Sequence, residues 1–416
     1  MTDKAVVTGI GVMAPNGLTV EDFWASVVEG RSGIGEIDRF DASAYPARIA
    51  GQIRDFDPLE HIPKRLLPQT DVSTRFALAA AAAALSDARV DPAELAEFDM
   101  GVMTSNATGG FEFTHKEFKK LWSEGPSTVS VYESFAWFYA VNTGQISIRH
   151  GMRGPGSVVV GEQAGGLDSV GNARRAIRLG TPFMVCGGVD SAFDPWGWAS
   201  HISGGRVSTT PDPRRAYTPF DVGANGYVPG EGGAILIAEN ADTARTRGRA
   251  PYGEIAGYAA TFDPAPGLDR PPGLRRAAEL AIADAGLRPG DIDVVFADAA
   301  GLPAQDTAEA AAIRELFGPG AVPVTAPKAL TGRLFAGGGP LDLVAALLSI
   351  REGLVPATAH TTEVPAAYGI DLVLGAPRPC RIDSALVLAR GKGGFNSAVV
   401  VRRAEAADIP HSNAKN

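Results

Sequence analysis

The sequence predicts an α/β chain made of two similar halves, each a sheet covered by helices. Three observations predict it. Short apolar or β-branched runs of strand length, bounded by Gly, Pro, Asn or Asp, recur from Ala5 to Val401. Alanine-rich stretches of helical length separate some of them. One unit is also echoed. An Ala-rich helix, Asp87-Ala88-Arg89-Val90-Asp91-Pro92 and the run Phe98-Asp99-Met100-Gly101-Val102 return half a chain later. The second copy is an Ala-rich helix, Asp284-Ala285-Gly286-Leu287-Arg288-Pro289 and Ile292-Asp293-Val294-Val295-Phe296-Ala297. A helix that leads through a turn into a buried strand, twice, is the mark of a duplicated unit.

Along the chain, strands are expected at Ala5–Val7, Val158–Val160, Phe183–Val185, Ala234–Glu239, Ala385–Ala389 and Ala398–Val401. The last two flank Arg390-Gly391-Lys392-Gly393-Gly394-Phe395-Asn396, a Gly-rich turn of hairpin type. The run Val158-Val159-Val160 stops at a tight turn, Gly161-Glu162-Gln163, and a helix-like stretch follows from Leu167 to Ile177. The Pro/Gly-rich segment between Ala260 and Pro272 reads as the crossing between halves, which places them at residues 1–258 and 259–416. The polar tail from Ala404 is expected to fray.

Composition excludes several classes. The net charge is −9 and no Lys/Arg cluster is present, against a nucleic-acid partner. Apolar stretches are too short and too Gly-interrupted to span a bilayer. Met1-Thr2-Asp3-Lys4 lacks the regions of a signal peptide, and the two cysteines, Cys186 and Cys380, form neither a disulfide framework nor a metal set. A reducing cytoplasm fits, with both cysteines structural. None of the six histidines has metal-ligand spacing. Thr8-Gly9-Ile10-Gly11-Val12-Met13-Ala14 matches a dinucleotide fingerprint, with Glu29 in the range of its acidic residue. Pro15-Asn16-Gly17 breaks the helix that such a site needs, so the glycines read as a structural turn. No metal or bound organic cofactor is implied.

Five separated stretches carry a family resemblance. Val6-Val7-Thr8-Gly9-Ile10-Gly11, Tyr217-Thr218-Pro219-Phe220-Asp221, Gly226-Tyr227-Val228-Pro229-Gly230-Glu231-Gly232, Ala326-Pro327-Lys328-Ala329 and Gly393-Gly394-Phe395-Asn396-Ser397 occur in the order of the signature segments of β-ketoacyl synthases. The sequence resembles that family from about Ala5 to Val401. The resemblance implies a thiolase-like fold, two βα halves layered α-β-α-β-α, which agrees with the internal echo. It also implies a strand–turn–helix elbow that holds a reactive cysteine. The helix N-terminus lowers the thiol pKa and backbone N–H groups face the oxyanion. Two histidines then promote decarboxylation of a malonyl thioester and stabilise the developing enolate.

The chain departs from that pattern at all three positions. The cysteine position matches Gln163, whose amide cannot act as nucleophile. The histidine positions match Asp298 and Arg333. Asp298 would set negative charge where an oxyanion needs a donor. Lys328 and Glu309 are kept. Loading-module ketosynthases also carry glutamine but keep both histidines, so the triple loss resembles instead the chain-length factor, the ketosynthase-β subunit of type II aromatic polyketide synthases. That likeness implies a heterodimer with a catalytic ketosynthase-α, a phosphopantetheinylated acyl carrier protein that delivers malonyl units, and a growing poly-β-ketone. Carrier proteins are usually acidic, so an acidic subunit is a poor dock for them and the catalytic partner the better one. Gln163 either fills the vacated elbow or assists by holding a thioester carbonyl.

Phe111, Thr114 and Phe118 are spaced i, i+3, i+7, one face of a helix. In the family, positions with this spacing line the end of the chain-holding tunnel, and two Phe with one Thr imply a relatively short tunnel of octaketide class. An apolar helical stripe also reads as plain core. Trp122, Phe135, Trp137 and Phe138 form a second aromatic group that suits either the partner interface or the core.

The favoured reading is a catalytically silent chain-length factor of antibiotic-type polyketide biosynthesis, a subunit of a condensing acyltransferase without condensation activity of its own. A malonyl-carrier-protein decarboxylase or unusual ketosynthase acting alone is the second reading. A non-enzymatic acyl-binding homodimer is the third.

Overall fold

The computed structural model describes residues 4–405 except Pro266 and Asp269. Residues 1–3, ahead of the first strand, and 406–416, where fraying was expected, lie outside the described residues. In the first half, β1 (Ala5–Met13), β2 (Met100–Ser105), β3 (Gly156–Val159), β4 (Phe183–Asp190) and β5 (Gly232–Asn240) lie in the order β3-β2-β4-β5-β1. In the second, β6 (Gly253–Phe262), β7 (Val294–Phe296), β8 (Pro323–Thr325), β9 (Asp371–Leu372), β10 (Ser384–Gly391) and β11 (Phe395–Arg402) lie in the order β9-β8-β7-β10-β11-β6.

Strand β2 runs parallel to β3 and β4, and β5 antiparallel to β4 and β1. Strand β7 likewise runs parallel to β8 and β10, and β11 antiparallel to β10 and β6. Apart from the edge strand β9, the halves share strand order and direction, which is the structural content of the sequence echo. They join where Val6 and Val7 of β1 pair with Glu254 and Gly253 of β6.

Helix α1 (Val72–Ala88) packs on β1 and β5, and α5 (Leu274–Asp284) on β6 and β11. Helices α3 (Glu162–Arg178) and α7 (Gly338–Glu352) touch strands of both halves and each other. The period-2 alternation of strands sorts side chains between these layers. On β5, Ile235 and Ile237 join the cluster with Leu78 and Leu85 of α1, whereas Leu236 and Ala238 join the one with Leu167 of α3 and Leu343 of α7. On β11, Ala398 and Val400 face α5, and Val399 and Val401 the middle. The result is the expected α-β-α-β-α stack. Helix α7 is buried on every side from Gly338 to Ile350, as a middle layer requires of an apolar helix.

The structure corrects four expectations. The Gly9–Gly11 segment is no turn but part of β1. A Cβ on Gly9 would stand 2.2 Å from the Ala84 carbonyl oxygen and one on Gly11 1.9 Å from that of Ala80, so these glycines let α1 lie directly on the strand. The crossing between halves is made between β5 and β6, not by Ala260–Pro272, whose Pro/Gly content instead marks the loop from β6 to α5. The expected division at 258/259 therefore falls inside β6. The helix after the elbow starts at Glu162 rather than Leu167, because Gly165 and Gly166 are tolerated where close packing needs them. A Cβ on Gly166 would meet the Ala336 carbonyl oxygen at 2.2 Å.

Candidate functional site

Strand β3, the turn at Gly161 and helix α3 form a strand–turn–helix elbow with the amide of Gln163 at its corner. Gly161 precedes α3, Glu162 is held at a left-handed φ of 50°, and Gln163 follows it into the middle layer, fully buried. Such strain in a non-glycine residue persists only where the surroundings impose it. Ala299 and Phe335, beside the two histidine positions, are also held at φ of 50°. The Gln163 side chain faces Gly338 at the start of α7, where a Cβ would stand 2.5 Å from Nε2. Neither Nε2 nor Oε1 has a hydrogen-bond partner.

Asp298 and Arg333, which the resemblance aligns with the two histidines, form a buried ion pair. Arg333 Nη2 donates to Asp298 Oδ1 at 3.1 Å and Nη1 to Oδ2 at 3.2 Å, a bidentate fork. Arg333 also donates to the carbonyls of Asp298 and Arg390, and the Arg390 N–H donates to Asp298 Oδ1 at 2.8 Å. Burial pushes the Asp298 carboxyl up, but Arg333 and then Lys328 outweigh it and hold it below the usual carboxylate value. The charge expected to oppose an oxyanion is therefore already neutralised inside the chain. The signal was present in the sequence, since the two positions that the resemblance aligns with histidines carry opposite charges.

The retained residues frame this pair. Lys328 Nζ donates to the carbonyls of Ala297 and Asp298 and lies 2.7 Å from Asp342. Glu309 accepts from the Asp298 and Ala299 N–H groups at 2.7 and 2.8 Å, and burial together with Asp298 raises its carboxyl to about 7. Both hold the backbone at Asp298 in place. The Gln163 amide cannot act as a nucleophile.

The second feature is a cavity of about 510 Å³ lined by Phe111, Thr114 and Phe118 with Trp137, Tyr139, Glu133 and Trp196. The three residues share one face of α2 (Phe111–Glu124), as their spacing predicts. Gly109 and Gly110 open this helix, and a Cβ on either would meet the carbonyl oxygen of Trp137 or Ala136 at 2.3 or 2.1 Å. Their lack of side chains lets the 136–137 segment lie against the start of α2 and form one wall. Asp71 fixes the same turn by accepting from the Phe113 N–H at 2.9 Å.

Sequence reasoning missed Trp196 and Glu133. Trp196 opens α4 (Pro195–Ser203), which Asp194 caps by accepting from the Trp196 and Gly197 N–H groups. The His115 ring of α2 meets Asp194 at 2.9 Å, which sets the Trp196 ring 4.8 Å from that of Phe111 and 5.7 Å from that of Phe118. Only the tertiary fold brings Trp196 there. Of the second aromatic group, Trp137 joins the cavity wall, Trp122 lies tilted against Phe118 at 5.4 Å while 78% exposed, and Phe135 meets Tyr132 edge to face.

One carboxylate links the two features. Asp190 at the end of β4 accepts from the N–H groups of Ala107 and Thr108 beside the cavity and from that of Ala336 beside the vacated centre. Burial raises it to about 6 despite these bonds.

Residues 2–243 match the family described as β-ketoacyl synthase, N-terminal domain, and residues 252–362 its C-terminal domain. The chain belongs to the β-ketoacyl synthase family. It is 65% identical over 96% of its length, and 98% of the relative's, to the actinorhodin polyketide putative beta-ketoacyl synthase 2 of Streptomyces coelicolor. It is 57% identical, over the same shares, to the tetracenomycin polyketide synthase ketoacyl synthase beta subunit of Streptomyces glaucescens. Among solved structures it is similar to the ishigamide ketosynthase/chain length factor, with a TM-score of 0.88, 27% identity, and coverage of 97% of this chain and 99% of that one. A β-ketoacyl synthase fold is thus present here, with Gln163, Asp298 and Arg333 buried at its centre. Among the described residues no helix is long and apolar enough to cross a membrane.

Proposed function

We propose that this chain is a chain-length factor: it pairs with a catalytic ketosynthase-α and supplies shape rather than chemistry to poly-β-ketone synthesis. The observation that carries this reading is the gathering of Phe111, Thr114 and Phe118 around one cavity while Gln163, Asp298 and Arg333 occupy the reacting positions. The names of the ketosynthase β-subunit and chain length factor relatives support it. In the complex the cavity holds the distal end of the growing chain and limits its length. The phosphopantetheine arm of an acyl carrier protein delivers malonyl units to the partner.

The surface supports a partner. Strand β3 is the edge of its sheet, and among the described strands it pairs only with β2; such an edge invites a further strand. Beside it Val160 is exposed, and the helix Val141–His150, which touches β3 through Thr143 and Ser157, leaves Ile148 77% exposed. Trp137 and Phe138 add exposed aromatic surface next to the cavity. Apolar area of this kind marks interaction sites.

The test reconstitutes this chain with a cognate ketosynthase-α, carrier protein and malonyl donor, and compares wild type with the Phe111→Ala, Phe118→Ala double variant by mass spectrometry. Longer polyketides from the variant are expected. Unchanged length with intact turnover makes the two Phe ordinary packing residues. Product formed without ketosynthase-α overturns the silent reading.

A further inference from the structure

The cavity wall is aromatic, yet the ligand the proposed function assigns to it is not apolar. A poly-β-ketone carries an oxygen on every second carbon, and each carbonyl or enol loses its water on entering. A wall without polar groups would leave those oxygens unpaired, at a cost comparable to a lost hydrogen bond each. The polar groups that line the cavity are therefore decisive. Thr108 is committed, since its hydroxyl donates to Asp190 Oδ1 at 2.9 Å. Thr114 Oγ1 and Glu133 Oε2 are not: they face each other on the cavity wall, and neither has a further hydrogen-bond partner.

Glu133 is the unusual member of the pair. Glu133 is half-buried, and one of its carboxyl oxygens is enclosed on the wall that Phe111, Phe118, Trp137 and Trp196 share, with the Thr114 hydroxyl beside it, so a ligand group can complete it. Its other neighbours do not relieve it. Burial pushes it above the ordinary glutamate value, the adjacent Thr114 hydroxyl pulls it down, and the carboxylates of Glu117 and Asp71 push it up again. Glu117 is itself engaged by Lys120 and the Ser130 N–H, and Asp71 by Ser73 and Phe113. The segment that carries Glu133 is held against α2 by Gly109 and Gly110, so the carboxyl is placed by the backbone rather than by a flexible loop.

We propose that Glu133 is a specificity-determining residue: its carboxyl hydrogen-bonds the distal β-dicarbonyl of the growing chain, with Thr114 beside it, and fixes where the chain end stops. The aromatic rings set how much chain fits, and Glu133 sets the register in which it fits. A carboxyl suits this ligand because it can pair with either tautomer, accepting from an enol hydroxyl or, when protonated, donating to a ketone oxygen. This rests on the chain-length reading of the cavity.

The experiment uses the reconstituted heterodimer with Glu133→Leu and Glu133→Gln, beside Phe111→Ala, Phe118→Ala as control. Products are resolved by length, and total malonyl turnover and the fraction of heterodimer on gel filtration are read in parallel. Loss of one hydrogen bond at the chain end is expected to raise the share of off-length products about fivefold in Glu133→Leu. Glu133→Gln, which keeps a donor and an acceptor at the same size, is expected to restore the wild-type distribution. An unchanged distribution in Glu133→Leu, while the Phe control shifts, overturns the proposal and leaves the chain-length reading intact. An unchanged distribution with a weakened heterodimer makes Glu133 a partner contact and overturns it too. If the Phe control also fails to shift, the chain-length reading falls and this inference with it.

Discussion

Around Asp298 and Arg333 the buried charges are matched: a bidentate pair, a lysine on a carboxylate, and backbone N–H groups on Glu309. Around Phe111 and Phe118 the material is the opposite. Rings meet at open angles over a cavity of about 510 Å³, with the Thr114 hydroxyl and the Glu133 carboxyl in its lining. The first region matches its charges internally and leaves the buried Gln163 amide beside them without a hydrogen-bond partner, whereas the second offers open, largely aromatic volume. Aromatic volume with a few polar groups is what a ligand fills, so the contrast places the candidate binding region in the second.

The largest test of that contrast strikes the sealed region. Asp298→Ala leaves the Arg333 guanidinium buried without its counter-charge and is expected to cost about 3–5 kcal/mol in denaturant unfolding of the purified heterodimer. The double variant Asp298→Leu, Arg333→Met removes both charges and is expected to lose much less. Equal losses would mean that the pair does not hold the centre shut. A middling effect is expected in the open region. Thr114→Phe places a ring inside the cavity, with an overpacking cost of about 1–3 kcal/mol, and is expected to shorten the polyketide, read by mass spectrometry. Unchanged length there would take the cavity out of the path of the chain.

The smallest effect sharpens the boundary between the two regions. Gln163→Met replaces a buried, unpartnered amide by an apolar chain of similar length. Thermal stability is expected to stay level or rise by about 1 kcal/mol, with condensation by the complex unchanged. A clear fall in condensation would give the amide a part in the reaction and erase the distinction drawn here.

How much of this was legible before the fold depended on the range of the interaction. The halves were visible because α1 and α5 each lead through a turn into a strand, and that order is local. The elbow was visible because a β-branched run, a glycine and a helix are consecutive. Phe111, Thr114 and Phe118 were visible as a helical face because their spacing is a property of one helix. Trp196 was not, since its position depends on an Asp194 cap and a contact with His115 across the fold. Glu133 was passed over because a short charged segment between aromatics reads as surface until Gly109 and Gly110 are seen to press it onto α2. The crossing between halves was misplaced for a related reason. Pro and Gly mark a loop, but nothing local says which layers the loop connects.

The Asp298–Arg333 pair has a consequence for descent. Gln163→Cys alone would give a thiol without a base. Asp298→His alone would strand an arginine, and Arg333→His alone an aspartate, among buried groups. Each single change at the pair is costly on its own, so the pair acts as a ratchet that holds the centre in its present form.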